Sequence, residues 1–239
     1  MTFAVDAARL PRPIEGKHQM MRNRASAAAI IVLAVVLGAG CNGWRGLGFR
    51  ATGPEMPRLR HELALKLGMS VADVGAGRGE VTVALAADVG PSGQVFSTDI
   101  DLDALEQIRA RIADAALRNV TTVQAHARDT GLPTSCCDAI VLRRVYHHLS
   151  DPAATNLDLL RALRPRGVLA IIDFPPMFSW PWSAKDTPGN RTGHGVAAGL
   201  VVEEVTAGGF TLVKVIEDWP GRGPLKSYCA IFRKPEASP

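Results

Sequence analysis

The stretch Val71-Ala-Asp-Val-Gly-Ala-Gly-Arg-Gly-Glu-Val81 constrains this chain more than any other. A short apolar run meets glycines at alternate positions, Gly75, Gly77 and Gly79, and an amphipathic segment follows at once. Glycines admit the left-handed backbone of a sharp turn and let main chain come close to a ligand. A helix starting directly behind such a turn aims unpaired N–H groups at whatever polar group sits there. Asp99 stands roughly 20 residues beyond the loop, where a nucleotide-binding βαβ unit places its ribose-binding carboxylate. The loop therefore requires a strand before it, a helix behind it and a second strand ending near Asp99.

Downstream the chain reads as that frame. Val71 to Val74 is a buried strand, and Glu80 to Val89 is a helix stopped by Gly90-Pro91. Gln94 to Thr98 forms the second strand, and Asp101 or Asp103 caps a helix whose Leu105, Ile108 and Ile112 share a face. Val120 to Ala125 and Asp138 to Arg143 are the next strands. Asp151-Pro152 is a cap with proline at the first helical position, opening a helix that carries Leu157, Leu160 and Leu163 and closes near Arg164 to Gly167. Val168 to Ile172 is the fifth strand, ending at Asp173. Phe174 to Gly195 then holds four prolines, aromatic residues and no period, a length usually reserved for functional loops. Val196 to Ala207 is a helix, and Phe210 to Ile216 and Tyr228 to Phe232 are two last strands with no helix between them, hence antiparallel to each other. The sum is a doubly wound α/β fold, a Rossmann-like seven-stranded and mostly parallel sheet with an antiparallel C-terminal strand, its crevice at the strands' carboxyl ends.

Upstream, Arg22 and Arg24 precede a continuous apolar run from Ala25 to Gly40, and Cys41 follows. A basic start, an apolar middle and small residues before a cut site form the pattern of a secretory signal, whose natural start is Met20 or Met21. Leu37-Gly-Ala-Gly-Cys41 also resembles a bacterial lipobox, with Gly38 where leucine is preferred. Export or membrane anchoring, as a lipoprotein, is the expectation; a cytoplasmic location with a buried helix is the alternative. Residues 1–41 are thus an N-terminal extension with a signal or anchor, and the Gly/Pro-rich residues 42–57 a linker. Residues 58–236 form the folded domain, opened by a helix over Arg58 to Leu67 with Leu59, Leu63 and Leu67 on one face.

Composition narrows the partners. The net charge of +4 is spread over dispersed basic residues, so no nucleic-acid footprint is expected. The four cysteines make no CxxC or Cys/His pattern, and vicinal cysteines are poor disulfide partners. Neither a metal site nor a disulfide is expected, and Cys136 and Cys137 read as small strand residues.

Taken together, four motifs in order resemble the class I S-adenosylmethionine-dependent methyltransferases over roughly residues 55 to 235. Asp73-Val-Gly75-Ala-Gly77-Arg-Gly79 is similar to their first motif, whereas dinucleotide enzymes want the third glycine at the position of Glu80. Leu132-Pro133 with Asp138 resembles the entry to strand four, Tyr146-His-His-Leu-Ser-Asp-Pro152 the segment after it, and Arg161 to Gly167 the turn into strand five. The resemblance implies S-adenosyl-L-methionine as cofactor. Gly75, Ala76, Gly77 and Gly79 would border its methionine part, with Asp73 supporting the loop. Asp99 would take the ribose hydroxyls and Ile100 cover the adenine. His126 aligns with the acidic residue expected near the adenine amine, and Asp129 lies three residues on.

On the acceptor side, Tyr146, His147 and His148 follow strand four, and a histidine there suits a base; the other reading packs one ring beneath the loop. His194, Asp173, Arg143 and Arg144 divide similarly between substrate contact and ordinary loop, cap or flanking roles. Phe178, Trp180 and Trp182 form either an acceptor pocket or a plug over the sheet. The implied activity is methyl transfer to a small-molecule or lipid-like acceptor. An exported chain would leave the compartment where the donor is made, so the alternative is a non-catalytic, membrane-anchored binding domain. A nicotinamide-dependent oxidoreductase ranks third on glycine spacing.

Overall fold

In a computed structural model of the chain, residues 53–176, 194–220 and 226–236 are described. In chain order they form α1 (Glu55–Glu62), β1 (Ser70–Val74), α2 (Glu80–Val89), β2 (Gln94–Asp99), α3 (Leu102–Asp114), β3 (Val120–Gln124) and β4 (Cys137–Arg143). A single 3₁₀ turn, Tyr146–His148, leads to α4 (Pro152–Ala162), β5 (Leu163–Asp173), α5 (Ala198–Ala207), β6 (Thr211–Trp219) and β7 (Ser227–Arg233). The seven strands form one sheet in the order β3-β2-β1-β4-β5-β7-β6. β1 pairs in parallel with both β2 and β4, so the direction of winding reverses at β1 and opens a crevice beyond its carboxyl end. β7 runs antiparallel to both of its neighbours, β5 and β6, which makes it the reversed strand of an otherwise parallel sheet.

Both faces of the sheet are covered, which explains why its central strands are apolar without alternation. Along β5, Leu169 and Ile171 join one core cluster with Leu159, Val201 and Phe232. Val168, Ala170 and Ile172 join the other with Leu59, Leu85 and Ile231. Adjacent residues thus serve opposite layers, as the two-residue period of a strand requires.

Helix faces and edges depart from the sequence reading in three places. The buried face of α4 is Thr155, Asn156, Leu159 and Ala162, while Leu157 is 61% exposed and Leu163 already belongs to β5. Asn156 hid this face: its amide donates to the Tyr146 hydroxyl (2.9 Å) and the Glu204 carbonyl (3.1 Å), so a polar residue packs inward fully satisfied. α1 begins at Glu55, inside the stretch read as linker, and ends at Glu62, leaving Leu67 76% exposed. Cys136 and Cys137, expected to be unpaired, form a vicinal disulfide. Cys136 precedes β4, whose first residue is Cys137, so the pair straddles the strand end rather than lying in the regular pleat that would send neighbouring side chains to opposite faces.

Among the described residues no helix is long and apolar enough to cross a membrane, and no group of residues is arranged to hold a metal ion. The apolar run 25–40, Cys41 and the aromatic residues Phe178, Trp180 and Trp182 lie outside the described residues.

Candidate active site

The loop after β1 is stitched to β2 before any ligand is considered. The N–H groups of Gly75 and Ala76 both donate to the Thr98 carbonyl, at 2.8 and 3.0 Å. Beneath them Asp73, 2% exposed, accepts from the Thr82 hydroxyl at 2.7 Å, and Thr82 shares a second 2.7 Å bond with Ser97. One polar network therefore ties β1, α2 and β2 together under the turn. Burial pushes the Asp73 carboxyl up to about 6, against the Thr82 hydrogen bond and the Arg143 charge, which pull it down.

Glycine is required in the turn for different reasons at different positions. Gly75 has φ +69°, and a Cβ there would lie 2.4 Å from Val145 Cγ2, so the segment after β4 presses directly on the loop. At Gly79, φ +74° caps α2 in the left-handed region, and a Cβ would sit 3.1 Å from Ile108 of α3. Gly77 differs: a Cβ there would meet no atom within 4 Å. The space beside Gly77 is open, and its N–H donates to Asp99 Oδ2 at 2.8 Å while the N–H of Asp101 donates to Oδ1 at 3.0 Å. Both carboxylate oxygens are thus positioned by backbone, each with acceptor capacity to spare.

A cavity of about 550 Å³ opens at this point, with Gly75, Asp99 and Ile100 on one wall. Ile100 is 68% exposed, a large apolar side chain left uncovered at the cavity edge. His126 and Asp129 line a second wall as the two ends of one tight turn, joined by reciprocal backbone bonds of 2.7 and 3.2 Å. Arg144, Val145, His148 and Leu149 close the third. Cavities of about 390 and 490 Å³ lie instead at the strands' amino ends, beside Gln94 and Met69, away from the switch point.

Of the expected residues, the structure brings Gly75, Asp99, Ile100, His126, Asp129 and His148 to this cavity. Asp73, Ala76, Gly77 and Gly79 are not among its lining residues and shape the turn beside it. Tyr146 and His147 are corrections: at 0% and 1% exposure they lie in the interior and outside the cavity lining, so neither meets an acceptor there. Packing decides this, because the 3₁₀ turn sends Tyr146 into the core toward Asn156 and leaves His148 outermost. His147 Nδ1 lies 2.8 and 3.0 Å from the two oxygens of Asp173, which is itself fully buried, and its ring meets those of His148, Phe174 and His194.

The sequence reading left Arg143, the last residue of β4, and Arg144, the first beyond it, between substrate contact and flanking roles. Arg143 instead turns back to Glu55, whereas Arg144 lines the cavity in a left-handed conformation, φ +59°. Burial lowers the Arg144 pKa, with the Arg143 charge acting in the same direction. A bulky residue in that region marks backbone held by its surroundings at a working position. Only the step of one residue past the strand end signals it in sequence.

The family described as a methyltransferase domain matches residues 72–171, the span from β1 through β5. The chain carries a class I methyltransferase domain. It is 26% identical over 144 residues to a ubiquinone/menaquinone biosynthesis C-methyltransferase of Bordetella parapertussis, 55% of each chain. The chain thus spans about half the length of the curated relatives it matches. Among solved structures it is similar to an S-adenosylmethionine-dependent methyltransferase of Aquifex aeolicus, with a TM-score of 0.62 at 23% identity over 75% of this chain and 89% of that one. The fold is shared equally with the [4+2]-cyclase SpnF, at TM-score 0.64 and 16% identity over 76% and 80% of the chains. The methyltransferase domain built here fits S-adenosyl-L-methionine by its own geometry: an open space at Gly77, a backbone-held Asp99 and an exposed Ile100 stand side by side.

Proposed function

We propose that this domain transfers a methyl group from S-adenosyl-L-methionine to a small-molecule acceptor in the cavity beyond β1, β2 and β4. The observation that carries the reading is Asp99, held by the Gly77 and Asp101 N–H groups at the edge of an open cavity. A carboxylate so placed has lone pairs for two vicinal ribose hydroxyls. Ile100 covers the adenine face, and the turn from His126 to Asp129 stands at its polar edge. Gly75, Ala76 and Gly77 border the methionine part, kept in place by the Asp73–Thr82–Ser97 network beneath. When bound, the cofactor supplies a methyl group already activated on a sulfonium, so the protein's part is orientation and, for an acceptor that carries a proton, a base. His148 is exposed on the cavity wall and takes that role.

The relatives' stated activity, C-methylation in quinone biosynthesis, supports a lipid-like acceptor with a carbon nucleophile, and the apolar wall of Val145 and Leu149 suits such a ring. Export or membrane anchoring through residues 20–41, with the methyltransferase domain following from Glu55 onward, belongs to the same proposal. Titration calorimetry tests the cofactor site. Saturable binding of S-adenosyl-L-methionine is expected, weakened at least about tenfold in Asp99→Ala through loss of charge-assisted hydrogen bonds. No binding at millimolar donor ends the reading. Because an exported domain would leave the compartment where the donor is made, binding without transfer is the second reading; methyl turnover on a quinol acceptor that is lost in Asp99→Ala excludes it.

A further inference from the structure

At the opposite end of β4 from the cavity, the Cys136–Cys137 disulfide takes no part in cofactor binding. Nor does its position suit a structural staple. A disulfide stabilises chiefly by closing a loop of the unfolded chain, and a bridge between neighbours closes the smallest loop there is. The backbone around it is also held without it. Arg161 of α4 donates to the Leu132 carbonyl at 2.7 Å and the Thr134 hydroxyl at 2.8 Å, and its own carbonyl accepts from the Ser135 N–H at 3.0 Å. Arg164 of β5 brackets the pair in sequence, donating to the Ser135 carbonyl before it (3.3 Å) and to Asp138 Oδ1 after it (2.7 Å). Asp138 Oδ2 accepts in turn from the Ser70 N–H at 2.8 Å, which joins the bracket to β1. The two cysteines differ in access. Cys137 is 0% exposed within the core, whereas Cys136 is half-buried and follows the exposed residues Thr134 and Ser135.

We propose that Cys136–Cys137 is a thiol–disulfide exchange site, opened by a dithiol and closed again by a disulfide oxidant, with Cys136 as the sulfur attacked. A thiolate of the dithiol bonds to Cys136 Sγ, the S–S bond breaks, and Cys137 leaves as a thiolate. The proton that the first thiol gave up goes to Cys137. The second thiol then attacks the mixed disulfide, closes the dithiol into its own disulfide and passes its proton to Cys136. Two electrons and two protons have then moved to the pair, and the dithiol is oxidised. The arginine contacts on both sides keep the opened thiols neighbours, which favours reclosure over bonding to a second molecule. The state of the pair follows its surroundings: closed where disulfides persist, open where thiols are kept reduced.

The experiment uses the full chain in detergent under native conditions, with and without dithiothreitol. Light N-ethylmaleimide is added to the folded protein; the chain is then denatured and its remaining thiols take an isotopically heavy reagent. Peptide mass spectrometry reads each cysteine. Cys229 is the internal control for unfolding, because it is 0% exposed and burial pushes its thiol up. Without dithiothreitol, Cys136 and Cys137 are expected to take neither label. With it, Cys136 should take at least about tenfold more light label than Cys229, and Cys137 should take the heavy label. In a separate arm, oxidised glutathione added after the dithiothreitol is removed should restore a peptide lighter by two hydrogens. Heavy label on both cysteines without reductant overturns the proposal, as does a bridge that dithiothreitol leaves closed. Light label on Cys136 only in step with Cys229, or a lasting glutathione adduct in place of the bridge, overturns it too.

Discussion

Asp73 is held at a buried position where its charge is costly, and the consequence has a definite sign. Its folded pKa of about 6 lies above the ordinary 3.8, so between those values the folded chain binds more protons than the unfolded one. The stability associated with protonated Asp73 is complete below about pH 4 and is lost as pH rises through 6. Relative to Asp73→Asn, the wild type should lose about 2–3 kcal/mol between pH 4 and pH 7 by urea denaturation. A flat difference would show that Asp73 does not titrate in that window. Gly75 carries a steric prediction. Gly75→Ala combines a positive φ with a Cβ 2.4 Å from Val145, and should cost about 1–3 kcal/mol while displacing the cavity wall. Part of that cost should return in the double variant with Val145→Ala, leaving the backbone strain, and a double-mutant cycle measures the division. The need for glycine at this turn was legible in the motif; the partner that enforces it, Val145, was not, because it arrives from 70 residues away.

Elements whose signals are local match the sequence reading closely. α2 spans Glu80–Val89 as expected, the Asp101 side chain caps α3 by accepting from the Asp103 N–H, and Asp151-Pro152 opens α4. Each is defined by glycine, a capping acid or proline at its own ends. α1 was misplaced because what fixes it is distant. Glu55, 3% exposed, receives two 2.9 Å bonds from Arg143 at the end of β4 and one of 3.2 Å from the Trp219 indole at the end of β6. This ion pair clamps the first turn of α1 beside the strand ends that carry the site. Arg143→Met alone leaves the Glu55 carboxylate buried without its partner and should destabilise by about 3–5 kcal/mol. Pairing it with Glu55→Gln should recover a large part of that loss. Hydrogen exchange should show α1 opening first in the single variant; uniform loss of protection across the sheet would contradict the clamp.

At the scale of the whole molecule, a ligand seated across β1, β2 and β4 adds contacts between strands already joined by their ladders and by the Asp73–Thr82–Ser97 network. Binding stabilises by mass action, about 2.7 kcal/mol at a hundred times Kd, and should raise Tm by roughly 5–10 °C for a domain of this size. Thermal shift with S-adenosyl-L-methionine checks this, and an equal shift with a nicotinamide dinucleotide would contradict the glycine spacing. The sequence by itself determined the loop, the alternation of strands and helices, and the position of Asp99, because apolar runs, turn glycines and capping acids act over a few residues. Tertiary structure decided what those elements face. It set β7 between β5 and β6, sent Arg143 to Glu55 and Arg144 to the cavity, and buried Tyr146 and His147 while leaving His148 outside. In Tyr146-His147-His148, three adjacent residues of similar chemistry carry no local signal for direction. Only packing against Asn156 and Asp173 tells them apart. The glycine loop identified the site; the side chains arriving from distant strands fixed which of its neighbours can act there.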